Sequence, residues 1–491
     1  MVSRPLLCVT VTAATMAELR RKRDAVVEAD LIELRLDSVS DPSVAGALAG
    51  RRRPVIVTCR PAWEGGGFTG SEEDRRRILT EALSLGAEWV DIEWRARFDD
   101  VIAGAGGRRI VLSSHAFDGV PADLAARVHA MQSTGAEVIK IAAAMTCLSD
   151  CVPLLDLGLR SGPSRLVLIG MGEYGVATRI LAGRFGSTWT YAGAVREVGQ
   201  LDAQSLLEDY HFRSLTDATA VYGIVGGSVS HSVSPAMHNA AFRAARADAV
   251  YLPFPAASAA DFQTFGRAIG ISGASVTIPH KVSMLDYVDE ADPVARRIGA
   301  INTISVEDRR WIGANTDAGG FLEPLRDCMA LAGVRAAVLG AGGAARAVTV
   351  ALASSGCSTR LHARNREQAR QVAALASIEV GPWPPEPGSW DLLVNCTPIG
   401  MHPRVDETPI PADQITGRCV YDLVYNPPGT RLLREAAAVG CQTIGGLEML
   451  AAQARDQFQR WTGRTPRAGV MREAALTRFA EFARNENHVV R

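Results

Sequence analysis

Cysteine is sparse: nine residues are scattered along 491 positions, and the closest two, Cys147 and Cys151, have no second Cys or His pair nearby. That spacing excludes a disulfide scaffold and a four-ligand zinc site, and predicts reduced core or loop thiols in a cytoplasmic protein without a bound metal. Long apolar runs are also missing. No stretch reaches the roughly 18 residues of a membrane span, and Leu6–Thr12 near the start is too short and too mixed for a signal sequence. Net charge of one sign is absent as well. Lys and Arg total 52 against 53 Asp and Glu, leaving −1, so nothing global recruits nucleic acid or an anionic membrane, and small molecules are the expected partners. What is present is an ordinary globular composition, 47% apolar and 21% charged, on a chain long enough for about three domains.

The first half alternates apolar, β-branched runs with helix-length segments such as Ser71–Leu85 and Pro121–Thr134. Eight runs read as strands: Leu6–Thr12, Asp30–Leu36, Pro54–Cys59, Glu88–Glu93, Arg109–Ser114, Glu137–Ala142, Arg165–Ile169 and Trp189–Gly193. Eight such units favour a parallel (β/α)8 barrel over an open sheet, which directs attention to polar residues at the carboxyl ends of the strands. These are Glu33 and Arg35, Arg60 with nearby Glu64, Asp91 and Glu93, His115, Lys140, and Arg179 beyond the seventh strand. Lys140 lies in Val138-Ile139-Lys140-Ile141-Ala142, where loss of hydration favours the free amine and an imine with a substrate ketone. The plainer alternative is a lysine that snorkels into the helix layer or pairs with a carboxylate. His115 has its own plain reading as a hydrogen-bonded strand-end histidine. Glu33 and Arg35 share a face, as in a structural ion pair.

At these residues the chain resembles a type I 3-dehydroquinate dehydratase. Glu33-x-Arg35-x-Asp37, Thr58-x-Arg60 with Glu64-Gly65-Gly66, Asp91-Ile92-Glu93, Ser114-His115-x-Phe117 and Ile139-Lys140-Ile141 stand in the family's order. The resemblance covers roughly residues 5–213 and implies that Lys140 forms a Schiff base with the ring ketone. His115 would remove the adjacent proton and help the ring hydroxyl leave, with Glu64 orienting it. Glu33, Arg35, Arg60 and Arg179 would bind the ring hydroxyls and carboxylate, and Gln200 would come from the covering loop. That loop departs from the family's Ser-Ala-Pro-Gly-Gln: Val195-Arg196-Glu197-Val198-Gly199-Gln200 keeps Gly-Gln and lacks the serine and proline.

Ser214–Ala220 is short and polar and marks a boundary, giving a barrel over 1–215. Beyond it, Ala336-Ala337-Val338-Leu339-Gly340-Ala341-Gly342-Gly343-Ala344-Ala345-Arg346 reads as a buried strand, a glycine-rich turn and a helix. Gly340 suits the tight turn, Gly342 a close backbone approach to a pyrophosphate, and Ala345 close helix–strand packing, which together describe a dinucleotide site at a helix N-terminus. A ligand-free glycine turn is the competing reading. The next strand ends in Ala363-Arg364-Asn365, where an NAD enzyme places an acid for the ribose; a guanidinium there suits the 2′-phosphate of NADP. Other polar clusters are Ser232-Val233-Ser234-Pro235, Thr277-Ile278-Pro279-His280-Lys281, Asn302-Thr303 and Asn315-Thr316-Asp317. Ser232 and Ser234 either cap the following helix or bind a carboxylate. Lys281 by itself reads as a surface lysine.

The ordered set resembles a shikimate dehydrogenase: Ser232-x-Ser234-Pro235, Val276-Thr277-x-Pro279-x-Lys281, Ala300-x-Asn302-Thr303, Asn315-Thr316-Asp317-x-x-Gly320, the Gly340–Gly343 turn, Asn395-x-Thr397, and Gly446-Leu447-x-Met449-Leu450-x-x-Gln453. It implies that Lys281 and Asp317 form the catalytic pair and that Ser232, Ser234, Thr277, Asn302, Tyr425 and Gln453 hold the substrate. Gly340, Ala341, Gly342, Gly343, Ala344, Arg364, Asn365 and Thr397 would bind NADP(H), with Leu423 and Gly446 facing the nicotinamide. The fold expected is α/β, a (β/α)8 TIM barrel fused to a two-lobed dehydrogenase. Its substrate lobe would span 220–330, completed by 445–485, and its Rossmann NADP-binding lobe 331–444, with a frayed tail from Asn485. Together the resemblances imply that 3-dehydroquinate is dehydrated in the barrel and its product reduced to shikimate in the second half. A quinate dehydrogenase is a rival for that half; against it stand the small hydroxyls of Ser232 and Ser234, and Arg364. A non-catalytic metabolite sensor is another rival; against it stands the presence of Lys140, His115, Lys281 and Asp317, with no basic arm.

Overall fold

The computed structural model describes residues 4–160, 164–195 and 198–489, apart from the side chains of 483 and 485–489. Its contacts divide the chain into two units, one of residues up to Thr219 with Phe254–Ala257 and Asp261–Gly270, the other of the remainder. In the first unit the eight apolar runs form β1 (Leu6–Val11), β2 (Leu31–Arg35), β3 (Val55–Thr58), β4 (Trp89–Glu93), β5 (Ile110–Ala116), β6 (Val138–Ala144), β7 (Arg165–Met171) and β8 (Trp189–Ala192). They lie in the order β7-β6-β5-β4-β3-β2-β1-β8 with parallel neighbours. The barrel is nearly closed. At the seam between β7 and β8, the Thr188 N–H donates to the Leu166 carbonyl at 2.7 Å, and the Leu168 N–H donates to the Ser187 hydroxyl at 2.9 Å.

Strand alternation explains where the functional side chains point. Cys8, Leu31, Ile56, Val111 and Val138 belong to one buried cluster that fills the barrel. Residues two further along share their face. Those residues are Thr10, Glu33, Thr58, Ser113 and Lys140, so a polar layer sits directly above an apolar plug.

In the second unit, β9 (Ala220–Gly226), β10 (Ala249–Pro255), β11 (Gly273–Val276), β12 (Glu290–Ala291), β13 (Thr303–Glu307) and β14 (Arg310–Ala314) form a mixed sheet ordered β10-β9-β11-β13-β14-β12. Register sets Ser275 opposite Thr303 and Thr303 opposite Ala314, which carries Asn302 alongside Asn315–Asp317. The last six strands are β15 (Arg335–Leu339), β16 (Ser358–His362), β17 (Glu379–Val380), β18 (Leu392–Asn395), β19 (Cys419–Asp422) and β20 (Gln442–Gly445). Their order, β17-β16-β15-β18-β19-β20, reverses between β15 and β18, the switch point at which a Rossmann sheet binds its ligand. The helices Gly446–Thr462 and Val470–Val489 return to the mixed sheet, with Leu447, Phe458, Met471 and Phe479 in one cluster with Met237, Phe242 and Tyr251. The second of them runs on to Val489, so the chain beyond Asn485 continues as helix where fraying was expected, one uninterrupted run without proline or glycine. Among the described residues no helix is long and apolar enough to cross a membrane.

Removing the Ser187 hydroxyl would leave the buried Leu168 N–H without its acceptor. Ser187→Ala is therefore expected to destabilise the barrel by about 1–3 kcal/mol, read as a lower denaturant midpoint for loss of barrel structure. An unchanged midpoint would show that the seam does not depend on this contact.

Candidate active sites

The barrel mouth is built around an amine and an imidazole. Lys140 Nζ donates to Asp91 Oδ2 at 2.8 Å, lies 3.7 Å from Glu33 Oε1 and sits 4.4 Å from the centroid of the Tyr191 ring. The structure thus joins both readings of this lysine: it points into the barrel and it is paired. Glu33 is fixed from two sides by the hydroxyls of Thr10 at 2.8 Å and Thr58 at 2.9 Å. Burial acts to raise the Asp91 carboxyl, but Lys140 and Arg60 outweigh it and hold the group well below its ordinary value. Asp91 stays ionised beside the amine.

His115 Nδ1 lies 2.9 Å from Glu64 Oε1, which also accepts the His115 N–H at 3.0 Å. With its Nδ1 hydrogen on Glu64, the ring has its lone pair at Nε2, where it faces the Arg60 guanidinium. Glu64 reaches this position because the chain turns sharply behind it. Gly65 has φ +74°, and a Cβ on Gly66 would lie 2.1 Å from the Arg60 carbonyl oxygen, which accounts for the Glu-Gly-Gly motif. Arg60 donates to Asp91 at 3.1 Å, lies 3.4 Å from Glu93 and contacts the His115 ring nitrogens. Burial drives Glu93 up to about 7 against Arg60 and Arg75. Arg75, which sequence reading did not single out, is fully buried, binds Glu93 and Glu72, and stacks 4.7 Å from the Phe98 ring.

The remaining predicted barrel residues divide. Arg179 is buried, donates to the Tyr191 and Val198 carbonyls, and has no carboxylate partner among the described residues; burial brings it down to about 10. Such a guanidinium is suited to an anionic ligand. Arg35 is instead engaged by Asp37 through two bonds of 2.8 Å, so the ion pair expected with Glu33 forms one step further along the chain. Gln200 Oε1 accepts the Val195 N–H at 3.1 Å, within its own loop. Arg196 and Glu197 of that loop lie outside the described residues.

In the second unit Lys281 Nζ donates to Asp317 Oδ2 at 2.5 Å, so Lys281 is not the surface lysine that it resembles by itself. Asn302 Nδ2 donates to the other oxygen of Asp317 at 2.8 Å and to Gln453 Oε1 at 3.2 Å. Thr277 follows the end of β11, half-buried. Ser234 is buried at the start of the helix Ser234–Ala244, whose N-cap residue Val233 makes no side-chain hydrogen bond. Ser232 Oγ accepts the Ser234 N–H at 3.2 Å. Tyr425 packs on Phe479, with ring centroids 6.2 Å apart.

The glycine turn fits a dinucleotide. Gly340 takes φ +103°, a Cβ built on Gly342 meets nothing within 4 Å, and the helix Gly343–Ser354 begins with no side-chain cap on its N–H groups. That open N-terminus suits a pyrophosphate. Ala341 is buried and Ala344 half-buried at the turn, while a Cβ on Gly343 would come 3.2 Å from the Lys281 stem. Across the switch point, Thr397 Oγ1 donates to Asn395 Oδ1 at 2.6 Å, and Asn395 Nδ2 donates to Asp422 at 2.9 Å. Asp422, unmarked in the sequence reading, is buried and raised to about 6 by burial, despite the hydrogen bonds it accepts from Thr430, Val424 and Asn395. Arg364 is exposed beyond β16. Asn365 caps the following helix by accepting the Gln368 N–H at 3.1 Å, a structural use of a residue expected at the cofactor. A Cβ on Gly446 would lie 2.3 Å from the Leu423 carbonyl oxygen, so these two pack backbone to backbone. Among the described residues no group of three His, Cys, Asp or Glu is arranged to hold a metal.

Residues 7–217 match the type I 3-dehydroquinase family, residues 224–304 the shikimate dehydrogenase substrate binding domain, and residues 446–476 the shikimate 5′-dehydrogenase C-terminal domain. A chloroplastic bifunctional 3-dehydroquinate dehydratase/shikimate dehydrogenase of Arabidopsis thaliana is 34% identical over 497 residues, spanning 93% of this chain and 82% of that protein. A shikimate dehydrogenase (NADP(+)) of Moorella thermoacetica is 45% identical over 271 residues, 52% of this chain and 92% of its own. A solved shikimate dehydrogenase in complex with NADP+ is similar with a TM-score of 0.52 at 36% identity, covering 54% of this chain and 97% of that one.

Burial, then Arg60 and Lys140, hold His115 well below its ordinary 6.5. The neutral ring therefore favours the folded state above pH 6.5, and this contribution is lost as pH falls toward the lowered value. In the free protein the His115 ring resonances are expected not to titrate between about pH 6 and 8. A midpoint near 6.5 in an NMR titration would contradict this environment.

Proposed function

The chain belongs to the family of bifunctional 3-dehydroquinate dehydratase/shikimate dehydrogenases, and on that premise we propose how its residues divide the work. The protein converts 3-dehydroquinate to 3-dehydroshikimate and reduces that product to shikimate with NADP(H). In the barrel, Lys140 attacks the ring ketone, forming an imine and releasing water. Asp91 lies against the amine and holds it in the mouth, and Glu33 binds ring hydroxyls. His115 Nε2 takes the proton beside the imine carbon, whose electron pair is drawn toward the protonated imine. The same proton then goes to the ring hydroxyl, which leaves as water, and hydrolysis of the imine restores Lys140. Glu64 keeps the ring in the right tautomer. Arg179 takes the substrate carboxylate, and Arg60, Arg35 and Gln200 complete the binding set.

In the second half, Lys281 holds a proton at Nζ for the ring carbonyl oxygen, and Asp317 keeps that nitrogen charged. Ser232, Ser234, Thr277, Asn302, Tyr425 and Gln453 bind the ring substituents. NADPH, when bound, supplies the hydride. The Gly340–Ala344 turn receives its pyrophosphate, Arg364 the 2′-phosphate with Asn365 beside it, and Thr397, Leu423 and Gly446 line the nicotinamide end. We place the barrel at 1–215, the substrate lobe at 220–330 with 445–485, and the NADP lobe at 331–444. Nine free cysteines fit a cytoplasmic setting.

The observation that carries the reading is that each half pairs one lysine with one buried aspartate, Lys140 with Asp91 and Lys281 with Asp317. Lys140→Ala is expected to lower dehydration by at least about 10³-fold and to leave NADPH-dependent reduction of added 3-dehydroshikimate intact. Loss of both activities in a folded variant would refute independent sites. Borohydride reduction during turnover is expected to add the ligand mass at Lys140, and an unmodified Lys140 would refute the imine.

A further inference from the structure

Behind Asp317 runs a chain of hydrogen bonds whose direction can be read link by link. Tyr251 Oη donates to Ser275 Oγ at 2.6 Å, and Ser275 Oγ donates to Gln457 Oε1 at 2.7 Å. Gln457 Nε2 donates to the Asn302 carbonyl at 3.0 Å and to Thr303 Oγ1 at 3.1 Å. Thr303 Oγ1 donates to Asn302 Oδ1 at 2.9 Å, and Asn302 Nδ2 donates to Asp317 Oδ1 at 2.8 Å. All six side chains are buried, and the Tyr251 ring is held flat against His238, with centroids 4.4 Å apart.

Hydroxyls can rotate, so the direction is imposed by groups with no choice. The Asn302 carbonyl can only accept, which sets the nitrogen of Gln457 on that side and turns its oxygen to Ser275. Ser275 must then donate to Gln457, and it takes its own hydrogen bond from Tyr251. Thr303, already accepting from Gln457, directs its hydrogen to Asn302 Oδ1. The Thr316 N–H can only donate and ends on that same oxygen at 2.7 Å. With its oxygen so occupied, the Asn302 amide presents its nitrogen to Asp317. Asp317 thus receives hydrogen from Asn302 on one oxygen and from Lys281 on the other, an arrangement that suits only the carboxylate.

We propose that Gln457 is a positioning residue for the reduction. It touches neither Lys281 nor Asp317 and acts through Thr303 and Asn302, fixing the amide that keeps Asp317 an acceptor and Lys281 an ammonium. The inference rests on the reading of Lys281 and Asp317 as the proton-transfer pair.

The test is Gln457→Met in the full chain, which keeps the length of the side chain and removes both polar ends. The reduction of 3-dehydroshikimate is followed against pH, with KM for NADPH and the dehydratase rate as internal references. The titratable groups packed around this chain are Lys281, Asp317, Tyr251, His238 and Cys396. The expected result is a fall in kcat of about tenfold, KM for NADPH within about twofold, and a shift of the pH midpoint of kcat by about one unit, with dehydration unchanged. A folded variant with unaltered kcat and pH midpoint, or one that changes KM alone, would overturn the proposal. If Gln457→Met does not fold, Ser275→Ala decides, since it removes only the hydroxyl that donates to the oxygen of the Gln457 amide: a kcat loss of about threefold with a shifted midpoint supports the proposal, and wild-type behaviour overturns it. Lys281→Met in the same assays separates the two layers. If that variant still reduces the ketone, the proton-transfer reading fails, whatever Gln457→Met does.

Discussion

A lysine ammonium inside a protein needs a carboxylate close by, because its lost hydration is costly and an ion pair of good geometry offsets part of that cost. The molecule applies this constraint twice, with Asp91 at 2.8 Å from Lys140 and Asp317 at 2.5 Å from Lys281. The pairing accompanies burial of the Lys140 amine and partial burial of the Lys281 amine. In the barrel the amine lies against two carboxylates, Asp91 and Glu33. In the second unit Asp317 accepts from the Lys281 amine on one oxygen and from the Asn302 amide on the other. Arg179 shows the complementary case: a buried cation with no carboxylate partner among the described residues.

Both scaffolds deliver these groups by strand register. In the barrel one residue layer is apolar and fills the interior, and the layer two residues further along each strand carries Glu33, Thr58, Ser113 and Lys140 into the mouth. In the second unit the Thr303–Ala314 pairing sets Asn302 against Asp317, and the reversal between β15 and β18 opens the crevice that Gly340 and Thr397 line. The placement of these side chains follows from backbone pairing, with Glu64 added from the segment after β3.

Much of this was legible in the sequence, and for physical reasons. Parallel strands buried on both faces read as continuous aliphatic runs, as in Val55-Ile56-Val57-Thr58, and the Gly340–Gly343 turn stands between a buried strand and a helix. What escaped were groups whose importance lies in a neighbour distant in sequence. Asp422 ends an unremarkable strand, and only the β18–β19 register brings it to Asn395. Arg75 looks like one of several arginines on an exposed helix, yet it is fully buried against Glu93. Gln457 could have been found: it lies four residues after Gln453, on the same face of an otherwise apolar helix stripe, and two buried amides so placed call for partners. Asn365 is the ambiguous case, since it caps a helix and a residue suited to capping is equally suited to ligand binding.

The central claim is that one chain carries out two consecutive reactions at separate sites. The most direct measurement gives purified protein 3-dehydroquinate, with and without NADPH, and follows enone absorbance together with cofactor oxidation. Without NADPH the enone is expected to accumulate and persist; with it, the enone appears and is consumed as one NADPH is oxidised per substrate molecule. An enone that persists in the presence of NADPH, or NADPH oxidised with no enone ever formed, would contradict the account.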